Sequence, residues 1–107
     1  MKSHTVVTIR CRVKVGMQQA FKNRLKSFFN ILSKDPDFIT GILHENEYKP
    51  DEIFIYELWD GNSENFQFSQ IAKPYMDTLA ELSNTFLIEK ELNVHTVFAH
   101  WENNIIK

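Results

Sequence analysis

The stretch Thr5–Val15, TVVTIRCRVKV, alternates strictly, with Val7, Ile9, Cys11, Val13 and Val15 on one side and Val6, Thr8, Arg10, Arg12 and Lys14 on the other. A period of two is that of a strand with one face turned to a core. Gly16 interrupts it. From Met17 to Lys34 the apolar residues Met17, Phe21, Leu25, Phe28, Phe29 and Leu32 then recur every three or four positions, the period of an amphipathic helix. This change of period within a few residues commits the chain to a fold that mixes strands and helices.

The helix should stop before Pro36, which pushes Asp35 out of helical geometry. Phe38–Tyr48 reads as a second strand. In KPDE, Pro50 is pre-set for the second position of a tight turn, so Ile53–Trp59 is expected as an antiparallel hairpin partner. The group DGNS offers Asn62 or Ser63 as an N-cap. Beyond it Phe66, Ile71, Tyr75, Leu79, Leu82 and Phe86 make the buried stripe of a second helix, which Pro74 should divide in two. A last strand is expected over about Ile88 to Trp101. Strand, helix, strand, strand, helix, strand is the βαββαβ order of an α+β, ferredoxin-like fold. Right-handed crossovers then place the strands of an antiparallel sheet in the order 4-1-3-2, with both helices on one face. The other face stays bare, so a homodimer with sheets packed face to face is expected.

A length of 107 residues suits a single domain, 1–107, with its core over about 5–101. Twelve Lys and Arg against fourteen Asp and Glu create no field to recruit nucleic acid or an anionic membrane. The one cysteine cannot form an internal disulfide, and the first residues lack the apolar run of a signal peptide, which together point to a cytoplasmic location. No run approaches the length of a membrane span. Nine Phe, three Tyr and two Trp can fill a core or line an apolar cavity.

Glu57 and Trp59, two apart on the third strand, share a face with Ile53 and Ile55. A carboxylate there needs a partner. One reading gives it Arg10 or Arg12 of the neighbouring strand and makes Trp59 a packing anchor; the other makes Glu57 a base or orienter and Trp59 the wall of a pocket. Among the strand histidines, His44 and His95 would lie on opposite edges of the sheet, roughly 14 Å apart at about 4.8 Å per strand. His95 and His100 point to opposite faces, and no metal site is expected. A strand histidine titrates near neutrality, which keeps His44 available as a base. Gly16, Gly41 and Gly61 are too scattered for a phosphate loop, so no nucleotide cofactor is signalled. Cys11 alternates in phase with the core residues and reads as an inert thiol. Tyr56 and Tyr75 could place phenols in a cavity or serve as core aromatics.

The run TIRCRVKVGMQQAFKNRLKSF, the hairpin ending IFIYELW and the helix ENFQFSQIAKPYM together resemble the antibiotic biosynthesis monooxygenase-like domain, a dimeric α+β barrel of ferredoxin-like subunits. The likeness covers nearly all of the chain. It rests on a strand ending in Glu-x-Trp and a following helix with a phenylalanine and a proline break, here Glu57, Trp59, Phe66 and Pro74. The resemblance implies a pocket between sheet and helices in each subunit, a small aromatic or quinol-type substrate and no bound cofactor. His44 or Glu57 would be the proton acceptor, with Trp59, Tyr56, Tyr75 and Phe66 in contact with the substrate. Many relatives carry a histidine where this chain has Gln70. The haem-degrading branch uses an asparagine, a tryptophan and a histidine at places that align with Ile9, Gln70 and Ala80, so none of the three is matched. Cofactor-free oxygenation needs few residues: a deprotonated phenol in a dry pocket is itself the reductant for dioxygen. Two other readings stand beside it: a non-enzymatic dimeric domain that binds a small molecule, and an isomerase or lyase acting on a small carbonyl compound.

Overall fold

The computed structural model describes residues 4–61 and 68–103. Its elements are β1 (Thr5–Val13), α1 (Gln18–Leu32), β2 (Phe38–Glu45), β3 (Glu52–Trp59), α2 (Phe68–Phe86) and β4 (Leu87–Thr96). The strands form one sheet in the order β2-β3-β1-β4, every neighbouring pair antiparallel. This is the ferredoxin-like α+β arrangement expected from the alternation of periods.

Burial follows the parity of the sequence. Val7, Ile9, Cys11 and Val13 of β1 stand beside Ile53, Ile55, Glu57 and Trp59 of β3, all almost wholly buried under the helices. Phe21, Leu25 and Leu32 of α1 and Tyr75, Leu79, Leu82 and Phe86 of α2 complete this core. On the opposite side of the sheet Ile42 and Phe54 are exposed, next to Arg10 and Arg12.

Several boundaries depart from the expected ones. β1 ends at Val13, where the amides of Val13 and Lys14 turn to the carbonyls of Asp51 and Phe86. Gly16 follows with φ 79°, a left-handed turn residue, and Val15 lies exposed outside the strand. β2 stops at Glu45 rather than Tyr48, because Asn46 Oδ1 accepts the amides of Tyr48 and Lys49 at 2.9 and 3.2 Å and starts the turn early. The Glu52 amide then donates to Lys49 O at 3.0 Å, which closes the turn around Pro50.

α2 runs as one helix from Phe68 to Phe86, so the expected division at Pro74 is not found. A proline inside a helix forfeits one hydrogen bond, at roughly 3 kcal/mol. Burying Tyr75, Leu79, Leu82 and Phe86 on the sheet is worth more, at about 1.5–3 kcal/mol per large side chain. β4 ends at Thr96, not near Trp101; the Val97 amide donates to His4 O, and beyond it Phe98 and Trp101 are exposed. The proposed caps Asn62 and Ser63, and Phe66, lie outside the described residues.

Candidate active site

Glu57 is the one charged residue in the core among the described residues, with no exposed surface. The alternation of β3 turns it inward together with Ile53, Ile55 and Trp59. Its cross-strand neighbours are Val7 on β1 and Gly41 on β2, neither of which offers a side-chain charge. Neither arginine reaches it: Arg10 pairs with Glu91 at 2.9 Å, and Arg12 Nε with Asp51 at 3.1 Å. That corrects the expected ion pair, and the reason is parity. Arg10 and Arg12 occupy the even positions of β1 and project from the open face.

Two neutral donors hold the carboxylate instead. Trp59 Nε1 donates to Oε1 at 2.9 Å, and Tyr75 Oη donates to Oε2 at 2.7 Å. The first comes from the same strand two residues on, the second from the helix stripe above. Desolvation raises the Glu57 pKa above the ordinary glutamate value, and the bonds from Tyr75 and Trp59 offset part of that rise. Burial, and then the Glu57 charge, push the Tyr75 phenol up as well. Cys11 is also buried, and desolvation pushes its thiol up to about 12, which keeps it unreactive.

Around this acid the aromatic side chains close a ring. Phe28 lies 5.4 Å from Tyr75 between centroids, Phe29 meets Phe28 edge-on at 5.9 Å, Phe38 meets Phe29 at 6.3 Å, and Phe38 stands edge-on to Trp59 at 5.3 Å. Tyr75, Phe28, Ile31 and Leu82 also line a mainly apolar groove of about 720 Å³ between α1 and α2, with Arg24 and Lys34 at its margin. That is room for a drug-sized ligand. Tyr75 therefore touches both the groove and the carboxylate.

The expected site residues divide between the two sides of the sheet. Glu57, Trp59 and Tyr75 come together on the helix side. His44 and Tyr56 pair in register with Phe54 and Ile42 on the open face. His44 is exposed, with Nδ1 3.1 Å from Phe54 O, and lines a hollow of about 120 Å³ with Lys22 and Lys26. Tyr56 lines another hollow, of about 310 Å³, with Val6, Leu58 and His95. Among the described residues no group of three or more His, Cys, Asp and Glu is placed to hold a metal ion. The bond between Tyr75 and Glu57 was missed from sequence, although both signals were present: an acid on the inner face of a strand, and one phenol in the stripe of the helix that covers it.

No protein-family model matches the chain, and no curated protein does. Solved structures do. A conserved protein from Methanosarcina mazei Go1 aligns with TM-score 0.73 at 21% identity, over 88% of this chain and 92% of that one. SnoaB from Streptomyces nogalater, a cofactor-independent oxygenase solved as a variant, aligns with TM-score 0.75 at 14% identity, over 94% and 98%. A Nitrosomonas europaea protein whose assignment as an antibiotic biosynthesis monooxygenase is itself provisional aligns with TM-score 0.74 at 13% identity, over 92% and 93%. At these identities the likeness is one of fold. The chain has the fold of the antibiotic biosynthesis monooxygenase-like proteins.

Proposed function

We propose that the chain is an enzyme that oxygenates a small phenol, quinol or anthrone without a bound cofactor, using Glu57 through Tyr75 to accept the substrate proton. The observation that carries this reading is the 2.7 Å bond to a fully buried carboxylate from the hydroxyl of Tyr75, a residue that also lines the groove. Glu57 has no surface of its own to offer a ligand, so a proton leaves the groove by way of Tyr75: the phenol oxygen receives the substrate proton as its own passes to Oε2. A carboxylate whose pKa is raised by burial is a stronger base than an exposed one. The substrate anion then reduces dioxygen. For an anthrone methylene, one oxygen atom ends in a carbonyl and the other in water, which accounts for all four electrons taken from carbon.

Trp59 steadies Oε1, while Tyr75 would contact the ring. The fold shared with a cofactor-independent oxygenase supports the same reading. We further propose that two copies pack open face to open face through Ile42, Phe54, Tyr56 and Leu58. His44 is the other candidate acceptor, away from the groove that Tyr75 lines.

Oxygen uptake by the purified protein against a panel of quinols and anthrones tests this. Uptake above the spontaneous rate should fall by about 10²-fold or more, the usual scale of general-base catalysis, in Glu57→Gln, and also in Tyr75→Phe. A fall in His44→Ala alone would move the base to His44. No uptake on any ring, with a ligand still bound, would favour the binding-domain reading, and turnover of a carbonyl compound without oxygen the isomerase or lyase reading.

A further inference from the structure

Gly41 is the residue of β2 that lies directly across from Glu57, and its φ is not positive, so backbone freedom does not explain it. Space does. A Cβ built at position 41 would stand 2.7 Å from Phe38 Cζ and 2.8 and 2.9 Å from Phe29 Cε2 and Cδ2. Real Cβ atoms do not approach so closely, so both rings would have to move. Both rings are half-buried and already engaged: Phe38 stands edge-on against Trp59, and Phe29 contacts Phe38 and Phe28, which in turn lies against Tyr75. The two ends of this chain of rings, Trp59 and Tyr75, are the donors to the two oxygens of Glu57.

We infer that Gly41 is a positioning residue for Glu57: the missing methyl group lets Phe29 and Phe38 settle over the sheet, and their contacts aim the Trp59 indole and the Tyr75 phenol at the carboxylate. This rests on the reading of Glu57 and Tyr75 as the proton-handling pair. A methyl at 41 presses the ring chain from its middle and lengthens hydrogen bonds at both ends. Both bonds favour the charged form of Glu57, so loosening them raises its titration further. Among the described residues the other titratable group that faces this pair is the Cys11 thiol from β1, and like the Tyr75 phenol it does not ionise in the neutral range.

The test is the side-chain carboxyl ¹³C titration of Glu57, assigned by its loss in Glu57→Gln, together with the indole Nε1 proton of Trp59. In folded Gly41→Ala the titration should move up by about half a unit or more, the scale of a weakened hydrogen bond, and the Trp59 indole resonance should shift. Phe38→Leu keeps the glycine but removes the ring against Trp59, and should move both signals as well. A folded Gly41→Ala that loses thermal stability with both signals unmoved overturns the inference and leaves the glycine a packing role alone. Should Gly41→Ala fail to fold, Phe38→Leu decides: an unmoved titration there overturns it too. The titration needs no substrate, so it can succeed or fail independently of oxygen uptake.

Discussion

Glu57 takes one hydrogen bond along its own strand and one from the helix above, so both layers of the domain meet at a single carboxylate. Its folded pKa is raised, which fixes the sign of a pH effect. Below the ordinary glutamate value of 4.5 the group is neutral in both states. As pH climbs, the unfolded chain ionises first, and folding then favours the protonated form. Stability linked to this group is therefore full at low pH and is lost as pH rises through the folded titration. Chemical denaturation of wild type and Glu57→Gln across that range should show the wild-type loss and a flatter profile in the variant. Tyr75→Phe should cost about 1–3 kcal/mol, the range for a buried acceptor deprived of a donor, and raise the Glu57 titration. The inward direction of Glu57 was legible from strand parity. Its partners were not, because parity says which face a residue takes and nothing of what the opposing layer brings down onto it.

At the scale of elements, α2 is secured by its stripe. Leu79 is almost fully buried on the sheet, and Leu79→Ala should destabilise by about 2–5 kcal/mol, measured by urea denaturation, with little change at Glu57. The period of two made β1 readable and the period of 3.6 both helices, while the turn at Pro50 and the order of elements carried the other strands. Element ends were less readable. Where β2 and β1 stop is decided by the Asn46 side chain and by the amides of Val13 and Lys14 turning to other segments, and neither event leaves a periodic trace. The unbroken course of α2 through position 74 shows the same competition, with tertiary burial outweighing a local preference.

For the whole molecule, the open face joins Ile42 and Phe54 to a margin where Arg10 meets Glu91 and Arg12 meets Asp51. If that face is the interface, Phe54→Asp should halve the mass measured by light scattering while leaving the monomer folded. Sequence order foretold the arrangement of strands, and the placement of β1 inside the sheet has a kinetic consequence. Thr5 pairs with Trp59 on one side and with Thr96 on the other. The first strand to be synthesised must therefore wait for the last before its second ladder can form. Until then β1 presents an unsatisfied edge, so the finished sheet assembles by distant contacts and a Val- and Ile-rich strand stays uncovered until β4 has been made.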